Sequence, residues 1–199
     1  MRKNNMDDFL FKEYDSAQNL TYHVDDMRSK LTQFFIALSS IALATVSVIV
    51  KKDVDHDFLG VPWLWVSVVA LLMCVMLGFL FVLIIAKLRR TQIEHFHITN
   101  NIREYFLEQS PESEKLKSVV MLSKNTIPKP TRNSGSYYWV LLIIMLTSFL
   151  FSSAVFLITS HFSFDKIFQF FSMFFCFIVF VYILDQVYMR NAAFFSKES

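Results

Sequence analysis

Glycine, cysteine and charge are all scarce in this sequence. Three glycines leave no glycine-rich phosphate-binding loop, and the paired Gly or Pro breaks typical of transporter helices are missing. Cys74 and Cys176 both lie inside apolar runs, which excludes a disulfide framework and a cysteine metal site. Charged residues make up 18% of the chain, against about a quarter in soluble domains. We therefore expect a membrane protein without metal or cofactor.

Apolar residues are abundant instead, at 54% with 23 phenylalanines, and they occur in long uncharged blocks. Four blocks approach the roughly 20 residues that a membrane-spanning helix needs: 33–50, 61–86, 138–159 and 167–188. Pro62 suits the first turn of the second helix, where a missing N–H removes no hydrogen bond. The blocks predict an all-α integral membrane four-helix bundle with cytoplasmic amphipathic helical extensions.

Lysine and arginine are distributed unevenly between the two sides of this bundle. Sixteen lie before the first block, between the second and third, or after the fourth, and three lie in the two short loops opposite. The positive-inside rule then places both termini and the central loop in the cytoplasm. The resulting segments are a cytoplasmic helix (1–32), two transmembrane hairpins (33–86 and 137–189), a cytoplasmic loop (87–136) and a tail (190–199).

The cytoplasmic segments have helical patterns of their own. Apolar residues three and four apart between 7 and 31 indicate an amphipathic helix that either packs on another helix or lies on the lipid surface; its six acidic residues favour packing. No helix breaker follows the second block until Pro111, so that helix is expected to continue into the cytoplasm. A short helix over 114–122 and an extended linker over 125–136 complete the loop.

The string RRTQIEHFH (89–97) raises the question of catalysis. HEPN-type ribonucleases place an arginine four to six residues before a histidine, and Arg90 and His95 fit this loose spacing. Thr91 follows the arginine where that motif usually has Asn or Asp. Paired arginines are also ordinary at a cytoplasmic membrane edge, where they bind lipid phosphates. We therefore predict no enzymatic activity and no direct nucleic-acid binding, with Arg90 and His95 as the weak catalytic candidates.

Polar residues within this string and just beyond it are interaction candidates. Two adjacent asparagines are poor helix formers unless their amides have partners. The interaction set is Arg89, Arg90, His97, Asn100, Asn101 and Arg103. The alternative is a solvated helix face.

Within the apolar blocks, Asp185 is the one acidic residue, and Arg190, Lys87 or a tyrosine hydroxyl could pair with it. Small residues also recur on two of the blocks, and they favour close helix contacts within or between subunits. The helix-packing set is Ala37, Ser40, Ala44, Ser47, Ser148 and Ser152.

The four blocks, the Phe-, Lys- and Asn-rich composition, the basic central loop and the string HITNNIREYF (97–106) together resemble the small four-span accessory proteins of type VI-B CRISPR-Cas systems. The resemblance implies a non-enzymatic protein that tunes an RNA-guided effector ribonuclease in antiviral defence. By analogy with other small membrane defence proteins, it also implies a homo-oligomer in the lipid bilayer. Two alternatives stay open: a generic oligomeric channel or scaffold, and a membrane-tethered HEPN-like ribonuclease.

Overall fold

The computed structural model describes residues 2–51, 57–58, 61–109 and 131–193. Nearly all of them are helical. The helices are α1 (Arg2–Lys51), α2 (Trp63–Gln109), α3 (Gly135–His161) and α4 (Lys166–Ala192). A two-residue antiparallel ladder, β1 (Asp57–Phe58) with β2 (Val61–Pro62), lies between α1 and α2. The all-α prediction is confirmed, and each helix contains a stretch long and apolar enough to cross a membrane.

Helices α1 and α2 are both longer than a membrane span. The amphipathic segment and the first apolar block form one unbroken helix, because no glycine or proline interrupts residues 2–51. Helix α2 continues past the second block to Gln109, two residues before Pro111, as the sequence predicts. Pro62 lies in β2, immediately before α2, rather than in the first helical turn. The predicted 114–122 helix and residues 125–130 of the predicted linker lie outside the described residues.

Helices α2 and α3 form the centre of the bundle. Helix α1 packs against both of them on one side and α4 on the other, and in the described part of the chain α1 and α4 do not contact each other. The centre is filled by fully buried side chains: Phe35, Leu71, Val82, Ile85, Val140, Ile143, Ile144, Leu150 and Leu184. Helix α4 is peripheral, and its buried residues are confined to its last nine positions.

Helices α1, α2 and α3 approach one another closely at Gly78. A Cβ built on Gly78 would overlap the side chain of Thr147 on α3 and lie 2.7 Å from Cζ of Phe35 on α1. Thr147 cannot easily withdraw, because its hydroxyl donates to the carbonyl of Ile143 at 2.6 Å. Glycine is therefore required here for close helix packing.

Beyond the bundle, residues 2–31 of α1 and 87–109 of α2 form an antiparallel pair that we call the stalk. Tyr14 accepts a hydrogen bond from Arg103 at 2.7 Å, and the rings of Phe11 and Phe106 stack at 4.7 Å. The apolar spacing of residues 7–31 is thus used to pack on a helix. At 1.5 Å per residue the α2 part of the stalk is about 35 Å long.

Replacing Gly78 by alanine tests the close approach. We expect Gly78→Ala to lower the free energy of unfolding by about 1–3 kcal/mol, since overpacking outweighs the roughly 1 kcal/mol that alanine gains in helix propensity. Gly135→Ala is the control, because nothing lies within 4 Å of a Cβ there. Thermal unfolding midpoints in detergent would measure both, and equal midpoints for Gly78→Ala and wild type would contradict the packing.

Candidate functional site

A band of polar side chains, joined by hydrogen bonds and by the ring contact of Tyr188 with Tyr137, crosses the bundle where the stalk begins. All four helices and the segment before α3 contribute to it, and we call it the polar layer. Its members are Asp25, Arg28, Arg89, Gln92, Arg132, Tyr137, Asp185 and Tyr188. Because isolated polar groups are costly to bury, such a band requires extensive internal pairing.

Arg28 connects three helices in the polar layer. Although only 3% exposed, it donates to Oδ1 of Asp25 at 2.9 Å and to Oε1 of Gln92 at 3.1 Å. Its other terminal nitrogen reaches the carbonyl oxygen of Ser136 at 3.4 Å. One guanidinium on α1 therefore connects α1, α2 and the first turn of α3. Its Nε is buried and has no hydrogen-bond partner among the described residues.

Gln92 links the α1 side of the stalk base to the α2 side. Its Oε1 also accepts from Arg89 at 2.7 Å, while its Nε2 donates to both carboxylate oxygens of Asp25, at 3.1 and 3.2 Å. Arg89 is 6% exposed. The amide thus bonds two arginines and one carboxylate at the same time.

Asp185 forms the second centre of the polar layer. Its Oδ1 accepts from the Tyr137 hydroxyl and its Oδ2 from Arg132, both at 2.6 Å. The hydrogen bond and the negative charge of Asp185 raise the pKa of Arg132. A tyrosine was among the predicted partners; Arg132, in the segment before α3, was not. Through their bonds to Asp185, Arg132 and Tyr137 attach the beginning of α3 to the otherwise peripheral α4.

The side chains of the RRTQIEHFH string (89–97) do not come together in one site. Arg89 faces the polar layer, whereas Arg90 lies on the exposed side, where its Nε is 3.5 Å from Glu94. The Nδ1 atom of His95 is buried, and no described residue forms a hydrogen bond with it. His97 is half-buried.

The remaining interaction candidates lie along the stalk. Arg103 pairs with Tyr14, both through the hydrogen bond and with its guanidinium carbon 5.3 Å from the ring centroid. Asn100 is 2% exposed, and neither polar atom of its amide has a hydrogen-bond partner in the residues that the structure describes. Asn101 is exposed.

The two small-residue stripes face in different directions. Ser148 and Ser152 on α3 are buried in the bundle. Ala37, Ser40, Ala44 and Ser47 on α1 are exposed. The hydroxyls of Ser40 and Ser47 donate to the carbonyls four residues earlier, which leaves the α1 stripe small and without unpaired hydroxyl groups. Within this chain the α1 stripe is available for contact with another molecule.

Sequence reasoning missed Asp25, Arg28, Gln92, Arg132 and Tyr137. Aligning the α1 and α2 segments of the stalk as two packed helices would have indicated Asp25, Arg28 and Gln92. The reason is that Arg28 lies on the same apolar face of α1 as Val24.

No protein-family model matches this chain, and no curated protein or solved structure is significantly similar to it. The function must therefore be argued from the polar layer, the stalk and the exposed surfaces.

Replacing Tyr137 by phenylalanine tests the Asp185 centre. Tyr137→Phe removes one of two donors from a nearly buried carboxylate and should lower the free energy of unfolding by about 1.5–3 kcal/mol. The adjacent Tyr138, which is 60% exposed, supplies the control: Tyr138→Phe should unfold like wild type. If both variants behave alike in thermal unfolding, the Tyr137 hydrogen bond contributes nothing.

Proposed function

We propose that this chain is a non-enzymatic, multi-pass accessory protein of the bacterial inner membrane that acts on a cytoplasmic partner in RNA-guided antiviral defence. The observation that carries the proposal is the stalk, which α1 and α2 form in the described residues and whose base is hydrogen-bonded to the first turn of α3. A projection of this kind can present a fixed surface to a partner without a catalytic centre.

The proposed orientation puts the stalk and both termini in the cytoplasm. Sixteen of the lysines and arginines lie on the stalk side of the apolar blocks and three on the other. The polar layer would then lie at the level of the lipid headgroups, where charged side chains are far less costly than in the hydrocarbon core.

The stalk carries exposed aromatic side chains suited to protein docking. Phe9, Phe11 and Tyr22 on α1 are 59%, 56% and 65% exposed. Aromatic side chains dominate binding energy at protein interfaces. Six acidic residues on the same part of α1 make nucleic acid a poor direct ligand. The resemblance of the chain to type VI-B accessory proteins gives the partner class, a large effector ribonuclease.

A tethered ribonuclease and a generic channel or scaffold remain the competing functions. The ribonuclease would need Arg90 and His95 to reach one substrate, whereas Arg90 is beside Glu94 and the His95 Nδ1 is buried. The channel would need a polar path, whereas the centre of the bundle is filled with large apolar side chains.

Self-assembly is the second part of the proposal. The exposed α1 stripe lets a second helix approach closely, and small residues are what membrane helix contacts use. Ser47, at one end of the stripe, borders an apolar groove of about 390 Å³ between α1, α3 and α4. Bulky side chains of a second copy could fill this groove.

Docking is tested by replacing a stalk tyrosine in cells that carry the effector, a matching guide and phage. Tyr22→Ala should abolish the effect of this protein on interference, because truncating an interface anchor costs about 2 kcal/mol or roughly thirtyfold in affinity. Tyr182→Ala on α4, where the tyrosine is 64% exposed, should leave the effect intact. An unchanged effect with Tyr22→Ala, or the same loss with both variants, would reject the stalk as the docking surface. If the wild-type protein has no effect on interference, the defence role is wrong.

Assembly is tested by enlarging one alanine of the stripe. Ala44→Leu should shift the wild-type oligomer toward monomer in nanodiscs, since the added methyl groups separate the helices. Ala70→Leu changes an equally exposed alanine on α2 and should leave the mass unchanged. Native mass spectrometry measures both; a monomeric wild type would contradict the assembly.

A further inference from the structure

The polar layer contains more positive than negative charge. Arg28 and Arg89 are both buried, and Asp25 is the one carboxylate bonded to this pair in the described structure. Asp185 does not compensate for the difference, since its two oxygens are already bonded to Arg132 and Tyr137. One buried guanidinium therefore has no counter-ion of its own.

Hydrogen-bond donors also outnumber acceptors around Arg28 and Arg89. A guanidinium carries five N–H groups and accepts nothing. Arg28 and Arg89 both donate to the same oxygen of Gln92, at 3.1 and 2.7 Å, so the two donor nitrogens lie within about 6 Å of each other. Within the described part of the chain, the fully buried Nε of Arg28 has no acceptor. A pair of like charges this close is stable when an anion lies between them.

Asp25 is the anion that the described structure places beside Arg28. Its carboxylate accepts from Arg28 and from the Gln92 amide, yet the side chain is 55% exposed. Asp25 can therefore turn into solvent and leave a guanidinium and an amide N–H₂ pointing at the vacated position. Arg89 lies on the other side of the same Gln92 oxygen.

We propose that Arg28, Arg89 and Gln92 form a binding site for a phosphate group, with Asp25 as an internal anion that the ligand displaces. Arginine is the residue best matched to phosphate, because its planar N–H fork makes two parallel charge-assisted bonds. The same chemistry is offered by a phospholipid headgroup and by a free phosphate anion. The site is independent of the defence role, because it rests on the geometry at the base of the stalk.

Binding would be coupled to the stalk. The Asp25–Gln92 bonds join α1 to α2 at the stalk base. A phosphate that replaces Asp25 would break these bonds and form its own bonds to the arginines and Gln92. The bound anion would then join α1 to α2 at the stalk base.

The test uses full-length protein purified free of lipid in a neutral detergent. Thermal unfolding midpoints are measured with inorganic phosphate at constant ionic strength, with dihexanoyl phosphatidylglycerol, and with dihexanoyl phosphatidylcholine as the zwitterionic comparison. A saturable rise with phosphatidylglycerol alone identifies the lipid headgroup as the source. A rise with both anions identifies the phosphate group itself, and a rise with inorganic phosphate alone identifies the free anion.

Variants distinguish this site from general surface charge. Arg89→Gln should abolish the saturable rise, whereas Arg90→Gln, which removes the neighbouring exposed arginine, should retain it. Asp25→Asn removes the competing anion and should tighten binding about tenfold, equivalent to about 1.4 kcal/mol. This gain cannot be produced by a misfolded protein, so it keeps the proposal testable if Arg89→Gln does not fold. No saturable rise with wild type and Asp25→Asn, or equal losses for Arg89→Gln and Arg90→Gln, would overturn the proposal.

Discussion

Burial of the Arg28 guanidinium is the constraint on which the arrangement of the helices depends. An ionised side chain removed from water is strongly destabilising unless it is paired and hydrogen-bonded. Arg28 meets this requirement only when Gln92 on α2 and the Ser136 carbonyl at the beginning of α3 are both within reach. The relative axial positions of α1, α2 and α3 are therefore restricted at this level.

The same constraint explains how a long helix pair can act as one body with the bundle. Below the polar layer the helices are held by apolar packing around Gly78, and beyond it the described residues of the stalk belong to α1 and α2. Contacts within the stalk include the ring pair of Phe11 with Phe106 and the buried side chains of Val24 and Ile93. Because α1 and α2 pass through the polar layer without a break, the bonds there fix the direction in which the stalk leaves the bundle. The proposed docking and phosphate-binding roles both use this rigid base.

The sequence predicts the helices well and their polar contacts poorly. Block length and the position of Pro111 give the four helices and the end of α2, because both are local properties. The bond between Arg28 and Gln92 joins residues 64 positions apart, so it depends on the register between two helices. Arg89 reads as part of a lipid-facing rim, yet it is buried, because it lies about 100° around the helix from the exposed Arg90. Asp185 was recognisable as a lone intramembrane acid, but Arg132 belongs to a segment with no pattern that points toward α4.

The central claim is that the polar layer marks the boundary at which the chain leaves the membrane for the cell interior. The most direct measurement is labelling with a membrane-impermeant maleimide in spheroplasts, using a chain in which Cys74 and Cys176 are replaced by serine. The account predicts that Phe162→Cys, at the turn between α3 and α4, reacts in intact spheroplasts, and that Glu108→Cys, at the tip of the stalk, reacts only after permeabilisation. Labelling of Glu108→Cys from outside, with Phe162→Cys protected, would contradict it.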